Sequence, residues 1–158
     1  AGRAERAALG DRLGAHAHSE FIIPGIVLGV RYGGSPIVAE DNEIGLPPPD
    51  EPNTYIPTGS PGARAPHLWL EPGIALYDRL GPEFTLLRLG QRPTDASAIQ
   101  EAADQRGVPL AVCDVPTDYA RDLFGADLAL VRPDQHIAWR GNQAPDDAPA
   151  LIDLIRGA

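Results

Sequence analysis

Apolar positions follow no sustained period through the first part of the chain and become regular from about Pro66 onward. The opening stretch AGRAERAALGDRLGAHAH has the Ala, Leu, Glu and Arg content of a helix, but its apolar positions make only a thin stripe that needs something larger to pack on. FIIPGIVLGVRY reads as an extended segment, YGG as a turn and SPIVAE as its return. GLPPPDEPNTYIPTGSPG holds six prolines, which bars a regular helix or a central strand. Residues 1–62 therefore read as a helix end, a crossing arm and a Pro-rich linker, and residues 63–158 as a folded domain.

Within that domain HLWL predicts a short strand, IALYDRLG a short helix stopped by Gly81, and EFTLLRLG a strand. TDASAIQEAADQRG predicts a helix capped by Thr94 or Asp95, with Ile99 and Ala102/Ala103 on one face and Gly107 ending it. VPLAVCDV is nearly continuous in apolar residues, the mark of a strand covered on both faces. TDYARDLFG predicts a capped helix that buries Tyr119, Leu123 and Phe124. DLALV and HIAWR make two strands joined by RPDQ, with Pro133 and Asp134 at the centre of a tight turn. Strict alternation places His136, Ala138 and Arg140 on one face and Ile137 and Trp139 on the other. DDAPALIDLIRGA predicts a closing helix with Pro149 near its start and Gly157 after its end. The order β-α-β-α-β-α-β-β-α is an α/β arrangement: a thioredoxin-like mixed sheet covered by helices, preceded by an irregular Pro/Gly-rich arm.

Composition narrows the function classes. The 158-residue chain carries a net charge of −9, and all thirteen of its positive side chains are scattered Arg residues. No basic stripe is present, which argues against nucleic acid as a partner. No apolar run has the length of a membrane span and no signal peptide is visible, so a cytoplasmic protein is expected. The chain has no Met, and a first residue other than Met is expected of a piece of a longer polypeptide. Cys113 is the only cysteine, which leaves no CxxC pair and reads as a small buried hydrophobe.

Two polar stretches are candidate sites. In LVRPDQHIAWRG, Asp134 could orient His136 for general-base work, but no nucleophile lies nearby and a hairpin with a polar turn explains the same residues. In SPGARAPHLWL, Arg64 and His67 sit in a proline-braced loop, placed to anchor arm to domain. His16 and His18 point to different sides of a helix, and no His, Cys or carboxylate spacing suits a metal. GIVLGVRYGG lacks the strand–GxGxxG–helix arrangement of a dinucleotide site.

Taken together, YIPTGSPGARAPHLWL, LYDRLGPEFTLLRLG and LALVRPDQHIAWRG resemble the C-terminal region of FAD-dependent aromatic-ring hydroxylases of the phenol hydroxylase, 3-(3-hydroxyphenyl)propionate hydroxylase and polyketide hydroxylase type. The resemblance is strongest from Tyr55 to Gly141. It implies that flavin-binding and substrate domains of the same parent chain precede Ala1. FAD and NAD(P)H belong to that parent, and this fragment carries no cofactor-binding, catalytic or metal-binding residue. Arg64, His67, Asp134, His136, Trp139 and Arg140 fall in the matching motifs and are expected to serve structure or docking. The resemblance further implies a module that packs on the other domains and, as a homo-oligomer, on a second subunit. Two rivals stand beside this reading: an autonomous thioredoxin-like binding or oligomerisation module, and a thiol or peroxide enzyme that would need an exposed, acidic Cys113.

Overall fold

A computed structural model describes residues 2–40 and 47–158. The chain divides into two compact units, Ala1–Val30 with Pro49–Ile56, and Arg31–Pro48 with Pro57–Ala158. The segments expected to form a crossing arm thus contribute to both.

The first unit holds helix α1 (Gly2–Phe21) and a short helix α2 (Pro24–Gly29). The stretch expected to be extended is therefore helical in its middle. Pro24 lies in the first turn of α2, where its missing N–H costs nothing and its fixed φ suits the helix. Asn53 ties the exit of α1 to the polyproline segment, donating to the carbonyls of Ser19 (2.7 Å) and Ile22 (2.8 Å). Gly25 meets the same segment: a Cβ there would stand 1.8 Å from the Glu51 carbonyl oxygen.

The second unit is a mixed α/β fold around a four-stranded sheet. Its elements are β1 (Trp69–Glu71), β2 (Ile74–Ala75), β3 (Phe84–Leu89), α3 (Ser97–Gln105), β4 (Leu110–Val115), α4 (Asp118–Phe124), β5 (Leu128–Val131), β6 (Ile137–Gly141) and α5 (Ala148–Arg156). The sheet order is β4-β3-β5-β6, with β3 and β4 parallel and the other neighbours antiparallel. β1 and β2 form a separate hairpin, and a 3-10 turn (Leu76–Asp78) follows them. Of the short helix expected over IALYDRLG only the 3-10 turn Leu76–Asp78 forms, and Ile74–Ala75 is a strand: Leu76 is fully buried and its N–H bonds the Leu68 carbonyl (2.9 Å), so a long-range contact overrides local propensity.

Each face of the sheet has its own core. Leu86, Leu128 and Leu130 meet Ile99 of α3 and Leu151, Ile152 and Ile155 of α5. Leu87, Leu89, Ala129 and Val131 meet Phe124 of α4, with Leu68 and Leu76 from the β1–β2 region. Glycines end the helices as expected, but the expected side-chain caps are only partly made: the N-cap of α3 is Ala96 and that of α4 is Thr117, neither with a side-chain cap bond. The Asp147 carboxylate accepts from the Ala150 N–H (2.9 Å), and Gly157 takes φ 77° beyond α5. Asp95 accepts from the Ser97 N–H (3.0 Å) at the start of α3, and Gly107 takes φ 62° after its end.

Two burial expectations fail. β4 is an edge strand, so Ala111 is exposed and Cys113 only half-buried. Tyr119 points outward and is 64% exposed, because Ala120 and Phe124 supply the buried side of α4. SPIVAE is not a strand either. It runs as successive turns, Ser35 N–H to Tyr32 carbonyl (3.2 Å) and Val38 N–H to Ser35 carbonyl (3.1 Å).

Candidate functional site

The charged stretch that joins β5 to β6 closes as a three-residue hairpin loop. The Gln135 N–H bonds the Arg132 carbonyl (2.9 Å), and the Arg132 N–H bonds the His136 carbonyl (2.8 Å). Gln135 takes φ 67°, the left-handed position this loop class requires after its tight turn. Asp134 organises the polar side chains around it. Its carboxylate accepts a fork from Arg132 (3.1 and 2.9 Å) and the His136 backbone N–H (3.2 Å). His136 Nδ1 donates to the Asp134 carbonyl oxygen (3.0 Å), since a carbonyl can only accept. Burial opposes the charged form of Asp134, but the Arg132 fork, the His136 N–H and the neighbouring cations outweigh it, so its carboxyl lies below the usual range. These bonds lock a turn.

Arg64 joins this cluster. Gly62–Ala65 runs along the outer edge of β6, with Gly62 N–H to Ile137 carbonyl (2.7 Å), Ile137 N–H to Ala63 carbonyl (2.8 Å) and Ala65 N–H to Gln135 carbonyl (2.9 Å). Arg64 therefore lies opposite His136. Its guanidinium donates to Gln135 Oε1 (3.2 Å) and Tyr77 Oη (3.1 Å) and stands over the Tyr77 ring, 5.3 Å from the centroid. The Tyr77 hydroxyl donates a hydrogen bond in turn to the Ala65 carbonyl. Arg31 and Tyr32 pair in turn with Ala63 and Gly62, and the Tyr32 ring lies 4.6 Å from that of His136. The outer edge of β6 is thereby covered by the chain itself.

The other candidates lie elsewhere. A bulge at Ala138 breaks the alternation, because Val131 pairs with Ile137 and Leu130 with Trp139. Ala138 and Trp139 consequently share one core, while Ile137 lies in the other, so Ile137 and Trp139 do not share a face. The carbonyl of Ala138 is taken by the Ala39 N–H (2.8 Å). Arg140 is buried and donates to the Phe124 carbonyl (2.8 Å), a cation at the C-terminal end of α4. Trp139 folds over Gly141, where a Cβ would come within 2.5 Å of the indole. His67 is exposed and stands edge-on to Trp69, their rings 5.0 Å apart.

Arg64, Asp134 and His136 are thus brought together, and His67 touches the cluster only through the Tyr77 ring, 6.3 Å between centroids; Trp139 and Arg140 are not part of it. Tyr77, Tyr32 and Gln135 complete it without any sequence signal, since each contributes through a contact with a distant segment. Cys113 lines a separate cavity of about 430 Å³ with Leu70, Arg79, Asp114 and Thr117. Burial pushes its thiol up and Asp114 adds to this, while Arg79 opposes them.

The C-terminal model of the aromatic-ring hydroxylases matches residues 58–157. The chain belongs to that family. It is 33% identical over 160 residues to the FAD-dependent monooxygenase apdD of Emericella nidulans, covering 96% of this chain and 25% of that protein. It is 32% identical over 145 residues to the aklavinone 12-hydroxylase RdmE of Streptomyces purpurascens, covering 84% and 26%. Among solved structures, the rebeccamycin biosynthetic enzyme RebC with reduced flavin superposes on 97% of this chain and 27% of its own, with TM-score 0.81 and 36% identity. The flavin-dependent monooxygenase PieE, in complex with FAD and substrate, gives TM-score 0.74 and 30% identity over 97% of this chain and 29% of its own. This aromatic-ring hydroxylase segment therefore spans about a quarter of the length of such relatives.

Gly25, in the glycine-containing stretch, is closed by the chain's own Glu51 and Thr54 carbonyls, so its backbone offers no phosphate cradle.

Proposed function

We propose that this chain is the C-terminal, non-catalytic structural and docking domain of an FAD-dependent, NAD(P)H-using aromatic-ring hydroxylase of the cytoplasm, present here as a fragment. The observation that carries this is the family match over residues 58–157 in a chain that covers only 25% of a relative such as apdD. The sheet order β4-β3-β5-β6, with a closing hairpin and helix, supports a thioredoxin-like module. The chemistry of its polar groups supports a structural role: Arg64, Asp134 and His136 direct their bonds at a turn and an edge of their own unit. The half-buried, proton-retaining Cys113 has no neighbouring cysteine with which to exchange a disulfide. Flavin-binding and substrate domains of the same polypeptide are its partners in this reading.

The test is made in the parent enzyme. Arg64→Ala and His136→Ala are expected to lower Tm by a few degrees while kcat for NAD(P)H-dependent hydroxylation, per folded flavoprotein, stays within about twofold. A loss of kcat with unchanged Tm would overturn the non-catalytic assignment. A native polypeptide of the fragment's own size, found by immunoblot of the source cells, would instead favour an autonomous module.

A further inference from the structure

The two edges of the four-stranded sheet differ. On β6 the chain covers its own backbone with Gly62–Ala65, whereas among the described residues no strand or bridge lies on the outer side of β4. The Gly90 N–H bonds the Val115 carbonyl (3.0 Å), so Val115, Cys113 and Ala111 turn their backbone groups toward β3. Val112 and Asp114 therefore turn theirs outward, and among the described residues neither makes a backbone hydrogen bond to another segment. Within β4 nothing guards this edge. The strand has no lysine, and it pairs with β3 in unbroken register over six residues, so no bulge turns it away. Its one charged side chain, Asp114, is drawn to β3 by the Arg88 fork (2.5 and 2.8 Å).

Along this edge runs the cavity of about 430 Å³ that Cys113 lines, with Leu70, Glu71 and Arg79 as its facing wall. Arg79 is exposed and has no ion-pair or side-chain hydrogen-bond partner among the described residues. We propose that this slot receives an extended segment of a separate protein, added as a strand beside β4, with apolar residues in alternation and one acidic side chain directed at Arg79. The outward groups of Val112 and Asp114 recur two residues apart, about 7 Å along the edge, and another strand meets them at that spacing. Leu70 and Val112, on the two walls, supply the apolar contact. Arg79 sets the acidic position. Glu71 on the same wall and the net charge of −9 limit it to one, because a polyacidic segment or a phosphate backbone is repelled. All these residues belong to the second unit, and nothing here depends on the fragment reading.

Amide NMR of the 158-residue chain, titrated with synthetic octapeptides, decides this. One peptide alternates valine and threonine with a single central aspartate; a second carries lysine in place of that aspartate; a third is the first with alternate backbone amides N-methylated. The aspartate peptide is expected to shift the Val112 and Asp114 amides saturably, the lysine peptide to bind about tenfold more weakly, and the methylated one not at all. Arg79→Glu should reverse the order of the first two, while unmoved β3 and β5 amides report an intact fold. Equal binding of the methylated peptide, indifference to Arg79→Glu, or no β4 shift at millimolar peptide would each overturn the proposal. So would β4 shifts that follow chain concentration without peptide, the mark of a second copy. Binding that is present in this chain and absent in the longer native enzyme would also overturn it, since the enzyme's own domains would then fill the slot.

Discussion

At the residue scale, stability turns on single atoms whose surroundings leave no room or no partner. Thr85 on β3 is buried, and its hydroxyl has no hydrogen-bond partner among the described residues. Thr85→Val replaces that hydroxyl with a methyl, and a rise in stability of about 1 kcal/mol is expected, read as a higher urea midpoint at unchanged m. Gly59 is the opposite case. A Cβ there would lie 2.3 Å from the backbone of Phe124, whose carbonyl also holds Arg140. Gly59→Ala is expected to cost about 2–3 kcal/mol in the same assay, whereas Gly33→Ala, with open space around it, should be close to neutral. Neither difference is visible in the sequence, because both depend on which distant backbone stands nearby.

At the element scale, the β5–β6 hairpin and its edge behave as one device. Asp134 is held below the ordinary carboxylate range, so the stability it contributes is full above its unfolded pKa of about 3.9 and is lost as pH falls through the lower folded value. Asp134→Asn keeps an acceptor for the His136 N–H but removes the charge. Its side chain is 41% exposed, so solvent screening limits the loss to about 0.5 kcal/mol at pH 7. The gap between variant and parent should close once pH has fallen below the lowered folded pKa of Asp134, when both side chains are neutral; a gap that persists there would mean the charge is not its source. A second link joins helix to helix. The Arg106 fork holds Asp153 on α5 from just beyond α3, with Arg156 adding a second cation, and keeps that carboxyl low. Asn or Asp at a tight turn and Gly after a helix were legible beforehand, since capping and turn chemistry act within a few residues. The bulge at Ala138 was not, because only pairing against β5 reveals it.

At the scale of the whole molecule, the second unit carries two cores on one sheet, while α1 carries an apolar side that its own unit does not bury. Cys113 offers a check on any redox role. With its thiol pushed up by burial, maleimide labelling of the folded chain near neutral pH should be slower than for a free cysteine, and Cys113→Ser in the parent should leave turnover unchanged. Fast labelling would return the thiol-enzyme reading to contention. Family membership was also within reach of the residues, because PGARAPH and LVRPDQHIAWRG build the braced edge segment and the hairpin that meets it.

By itself the sequence determined the elements with strong local signals: α1, α3, α5, the central strands and the polar turn that answers for the charged cluster. Their causes lie in periodicity, caps and turn residues a few positions apart. Only the tertiary structure decided what rests on long-range pairing. It put β4 at an edge and so uncovered Cys113, turned Tyr119 outward, made a 3-10 turn of IALYDRLG, and laid Gly62–Ala65 along β6. Burial and register are properties of a side chain's neighbours in space, and a single sequence does not name those neighbours.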